Sequence, residues 1–94
     1  MFDQQEFLDL VNSLGLSNLP KLAGDVVFLA HPDAPAFRIH DPDNHYEIYL
    51  VFKNDNKHIY INHCYKGELV KLYWLEYKKP ETLKLKQICD SINS

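Results

Sequence analysis

Ninety-four residues are enough for one hydrophobic core and too few for two, so a single domain over 1–94 is expected. An apolar content of 46% with a net charge of −3 excludes a disordered segment. No apolar run approaches the ~20 residues of a membrane span. The charge is uneven: two basic residues stand against seven acidic up to Asn44, a balance of −5, and eight lysines against six acids beyond it, a balance of +2. Such polarity can orient a partner or a second copy of the chain, but it lacks the basic footprint of a nucleic-acid-binding domain. Two isolated cysteines, Cys64 and Cys89, read as reduced thiols at packed positions. An acidic start, Met1-Phe2-Asp3-Gln4-Gln5-Glu6, has none of the basic-then-apolar pattern of a secretory signal, and a cytoplasmic protein is expected.

Asp3 followed by Glu6 forms a capping-box pair, and Phe2 with Phe7 supplies the hydrophobic staple. Phe7, Leu10, Val11 and Leu14 then repeat at helical spacing, and Gly15 offers a left-handed terminus. Leu16, Leu19 and Leu22 around Pro20 read as one more helical turn, closed by Gly24-Asp25.

From Val26 to Tyr77 the pattern changes to period two. Strands are predicted over 26–30, 37–40, 46–52, 59–61 and 69–77, separated by turn-forming Pro, Asp, Asn and Gly clusters. With even loops the alternation keeps its parity across every hairpin. Phe28 then faces Ile39, Ile39 faces Tyr46, Phe37 faces Ile48, Leu50 faces Ile61, and Phe52 faces Ile59. In the last hairpin Ile61 faces Leu72, and Ile59 faces Trp74. A slip of one residue would mix apolar and polar faces, at about 1.5–3 kcal/mol for each large side chain exposed. Pro80 opens a final helix whose stripe is Leu85, Ile88, Cys89 and Ile92. The fold class is therefore α+β: a five-stranded antiparallel β-meander with N- and C-terminal helices packed on its apolar face.

The opposite face is expected to carry Tyr49, Tyr60, Tyr73 and Leu75 as anchors, with Arg38, Asn62 and Lys71 as a polar rim. Aromatic residues rimmed by charge have the composition of an interface core, although cross-strand Tyr pairs can also stabilise a solvated sheet. The functional expectation is a small protein-interaction module of the adaptor, chaperone or inhibitor type, bound to another protein or to a second copy as a homodimer. The first alternative is a single-stranded nucleic-acid binder, its bases stacked on the same rings. The second is a metal-dependent activity at the 41–44 turn, where His40 and His45 should lie opposite each other beside Asp43. His63 is expected on the core side, opposite Ile48 and Val70, with Cys64 on the other face. Those two side chains therefore cannot form a nucleophile–base couple. With no phosphate loop, GxSxG or HExxH motif present, neither an enzyme nor a cofactor is expected.

Overall fold

The computed structural model describes residues 2–93. It comprises α1 (Gln4–Asn12), β1 (Asp25–Leu29), β2 (Ala36–Asp41), β3 (Tyr46–Phe52), β4 (His58–Tyr65), β5 (Glu68–Glu76) and α2 (Pro80–Asn93). The strands form one antiparallel sheet in the order β1-β2-β3-β4-β5. The fold is α+β, a meander with a helix at each end.

Helix α1 starts where its cap directs. The Asp3 carboxylate accepts from the Glu6 backbone N–H at 3.1 Å, relieving one unpaired donor of the first turn. Phe2 packs on Phe7 with ring centroids 5.7 Å apart. Phe7, Leu8 and Val11 are buried from α1, as are Thr82, Leu85 and Cys89 from α2. Both helices join Phe37, Ile39, Ile48, Leu50, Phe52, Ile59 and Ile61 in one core, so both cover the same sheet face.

The expected turn of helix around Pro20 does not form; residues 15–24 are irregular. Hydrogen bonds fix this segment instead. The Asn12 side chain accepts from Leu22 N at 2.7 Å and donates to Leu22 O at 3.2 Å, which satisfies both backbone groups of Leu22. The Tyr46 hydroxyl donates to Lys21 O at 3.1 Å and accepts from Ala23 N at 3.0 Å. Leu22 is buried as a result. A segment ending in Gly24, with φ +108°, meets these anchors better than a helical turn interrupted by proline would.

Two kinds of register difference appear. In the first hairpins the pairs are Phe28 with Phe37, Ile39 with Ile48 and Phe37 with Leu50, each two residues from the expected partner. An even shift leaves every side chain on its expected face. Leu50 with Ile61 and Phe52 with Ile59 pair as expected.

The last hairpin differs by one residue, and the face changes. Next to the Lys66-Gly67 turn, Tyr65 pairs with Glu68 and Cys64 with Leu69, in the expected register. The following pair is His63 with Lys71, so Val70 is an extra residue in β5. Beyond this β-bulge Ile61 pairs with Tyr73 rather than Leu72, and Ile59 with Leu75 rather than Trp74. Tyr73 and Leu75 therefore lie on the core side. Leu72 and Trp74 lie on the outer side, 41% and 57% exposed.

Candidate functional site: the outer face of the sheet

The face not covered by helices is built from alternate residues of all five strands. β2 and β3 contribute a self-satisfied polar cluster at its centre. Arg38 Nε donates to Glu47 Oε2 at 2.9 Å, and the Tyr49 hydroxyl donates to the same oxygen at 2.8 Å. The Tyr49 hydroxyl and the Arg38 guanidinium together hold the Glu47 carboxyl below its usual range. That carboxylate in turn raises the Tyr49 hydroxyl, with burial adding to the effect. The charges are thus neutralised within the sheet.

Apolar residues flank this cluster on both sides. Val27 and Leu29 stand exposed on β1. On the other side Tyr60 packs against Trp74 with ring centroids 5.1 Å apart and planes inclined at 45°. Val51 is the cross-strand partner of Tyr60, and Leu72 that of Asn62. Leu69, 61% exposed, pairs with Cys64 near the turn. The Lys53 ammonium lies 5.8 Å from the centroid of the Tyr60 ring, within cation–π range. β5 is also an edge strand of nine residues, with one side of its backbone unpaired in the sheet.

Of the expected contact residues, Arg38, Tyr49, Tyr60 and Asn62 lie on this face, as their pairing partners require. The other three are corrected by the bulge. Tyr73 is buried, and its hydroxyl donates to Ser17 O at 2.5 Å. Leu75 is half-buried against the core. Lys71 shares the core-side phase of β5, its ammonium 5.8 Å from the Tyr73 ring centroid. Trp74 and Leu72 take the places that Tyr73 and Leu75 were expected to hold. Sequence alternation could not find them, because β5 is apolar in both phases.

The 41–44 turn also departs from expectation. His40 pairs with Glu47 and Asp41 with Tyr46, so His40 and His45 do not face each other. The Asp41 carboxylate accepts from Asp43 N, Asn44 N and Asn44 Nδ2 at 3.0, 3.2 and 2.8 Å. The Asn44 amide is the main reason this carboxyl sits below its usual range. Asp41 closes its own turn, and Asp43 contributes its backbone N–H to it. Among the described residues no three His, Cys, Asp or Glu side chains converge as a metal-binding group.

His63 occupies the core side opposite Ile48 as expected, but across β5 it meets Lys71 rather than Val70. Cys64 lies on the outer side opposite Glu47, and burial raises its thiol, with the Glu47 charge adding to the effect. The two side chains lie on opposite faces of β4. Comparisons with protein-family models, with curated proteins and with solved structures return no match to this chain.

Proposed function

We propose that this chain is a small protein-interaction module whose contact surface is the outer sheet face, and that a second copy of the chain occupies it. The observation that carries this reading is the exposed Trp74, packed against Tyr60 and followed along the strands by Leu72 and Leu69. Large aromatic residues at the centre of a surface patch are the usual energetic anchors of protein contacts. A solvated sheet face gains little from leaving its only tryptophan in water.

A second copy suits this face for two reasons. The patch carries both members of an Arg38–Glu47 pair, so a two-fold axis can bring opposite charges together without an unpaired charge. The long β5 edge continues the patch, and unpaired edges of this length are normally covered. The interaction is assigned to the cytoplasm. Support for that setting comes from the two free thiols, Cys64 and Cys89. No helix among the described residues is long and apolar enough to cross a membrane.

Light scattering across micromolar concentrations tests the reading. The expected mass rises toward twice the 11.0 kDa of one chain, and the double substitution Leu72→Ser with Trp74→Ser returns it to the monomer value while the fold persists. A monomer at every concentration contradicts it. The Lys53–Tyr60–Trp74 arrangement favours single-stranded nucleic acid as a second reading, since exposed rings beside a cation offer faces on which bases stack. Filter retention that falls steeply with salt, in a chain that stays monomeric, would replace the first reading with this one.

A further inference from the structure

Strand β5 has a neighbour on one side only, and the direction of its hydrogen bonds shows which backbone groups are left over. Tyr77 N donates to Lys57 O at 3.2 Å, toward β4. Backbone N–H and C=O groups point to alternate sides along a strand. Tyr73 and Leu75 therefore also turn toward β4, while Leu72, Trp74 and Glu76 turn to the open edge. Glu76 agrees with this phase: its carbonyl accepts from the Thr82 hydroxyl at 3.3 Å and from Lys78 N at 2.8 Å. Leu72 and Trp74 present their N–H and C=O groups at the edge, and among the described residues no side chain caps them.

The other edge is closed differently. β1 has five residues, and Gln4 of α1 covers its start, accepting from Val26 N at 3.3 Å and donating to Gly24 O at 3.0 Å. In β5 the bulge at Val70 and the charge of Lys71 interrupt only the first half. From Leu72 to Glu76 the strand is regular and holds no proline, so nothing there deters a further strand.

Free backbone groups in a row select an extended strand as their occupant, and the residues around them select β5 of a second copy. We propose that two copies join β5 to β5, antiparallel, about a two-fold axis at Tyr73, so that two sheets become one. Leu72 then faces the partner's Trp74, and Trp74 faces the partner's Leu72, each pair exchanging both backbone hydrogen bonds. Both side chains stand exposed on the outer face, and packing across the joint takes them out of water. Lys71 meets the partner's Leu75 and Glu76 meets the partner's Val70, so no like charges are opposed. An axis at Leu72 would set Glu68 against the partner's Glu76, a like-charge pair. An axis at Trp74 would set Leu72 against the partner's Glu76, whose carbonyl is already engaged. This joint rests on the reading that a second copy is the partner, and specifies where that copy attaches.

Amide hydrogen exchange, followed by NMR on the whole chain above and below the monomer–dimer midpoint, tests the joint. The Leu72 and Trp74 amides are expected to slow at least about tenfold on dimerisation. The outward amide of Phe28 on β1, in phase with Val26, keeps its rate. Leu72→Pro removes an edge N–H that the monomer leaves unpaired, and should weaken the dimer at least about tenfold more than Leu72→Ala, which retains it. If Leu72→Pro does not fold, the exchange rates decide. A dimer whose Leu72 and Trp74 amides keep their monomer rates would overturn edge pairing and leave the second-copy reading standing. A monomer at every concentration would overturn both.

Discussion

Gly24 shows how tightly the segment between α1 and the sheet is held. Its φ is +108°, and a Cβ placed there would lie 2.3 Å from the backbone oxygen of His40. Backbone cannot move aside as a flexible side chain could. Gly24→Ala is therefore expected to cost at least about 1–3 kcal/mol, while Gly15→Ala, with open space around its Cβ, meets only the left-handed penalty of about 1–2 kcal/mol. Denaturant unfolding of the two variants checks the order, and an equal loss would contradict it. Asp55 provides a test by pH. Its carboxylate accepts from His58 Nδ1 at 2.7 Å and from Lys57 N at 2.8 Å. The His58 ring, followed by that backbone N–H, lowers its pKa from 3.8 to about 2. A carboxyl depressed by folding stabilises the protein above its unfolded pKa, and that contribution disappears as pH falls through the folded one. The melting temperature of the wild type relative to Asp55→Asn should thus be raised at about pH 5, converging with the variant as pH approaches 2. A difference independent of pH in this window would contradict the assignment.

Strand β5 is the element on which the composition of the outer face depends. Its two phases place either Leu72 and Trp74 or Tyr73 and Leu75 against the core, and both pairs are apolar. The outcome is decided by two things alternation does not encode. One is the extra residue at Val70. The other is the tie between the Tyr73 hydroxyl and Ser17 O, made by a segment 56 residues away in sequence. In the monomer, Tyr73→Ala should therefore cost at least about 2 kcal/mol as a buried aromatic, and Leu72→Ala less than about 1 kcal/mol as a surface change. Thermal unfolding distinguishes them, and the reverse order would return Leu72 to the core. The rest of the sheet was legible in the sequence for a physical reason. In β2, β3 and β4, Phe37, Ile39, Ile48, Leu50, Ile59 and Ile61 alternate with Arg38, Glu47, Tyr49 and Asn62, so only one phase buries grease and leaves charge in water. Both helices announced themselves through Asp3, Pro80 and their apolar stripes. The segment around Pro20 did not, because its order comes from Asn12, Tyr46 and Tyr73 in other elements. Part of the contact face inherited the same gap: Arg38, Tyr49, Tyr60 and Asn62 were readable, while Trp74 and Leu72 required the bulge.

Over the whole molecule, the division of labour follows from a single sheet with two unlike sides. Helices α1 and α2 hide one side completely enough that Ile39, Ile48, Leu50, Ile59 and Ile61 are all fully buried. The other side keeps its charges paired internally and leaves its aromatic and aliphatic groups outward. A chain of this size gains little stability from such exposure, and the proposed association would remove that cost.

The most direct test of the account uses Trp74 as its own reporter, since the chain has one tryptophan. Quenching of its fluorescence by acrylamide, measured alongside solution mass from nanomolar to micromolar concentration, should be efficient in the monomer and fall as the dimer forms. Efficient quenching at all concentrations in a persistent monomer would contradict association through this face. Weak quenching in the monomer would place Trp74 inside the core and contradict the strand phase itself.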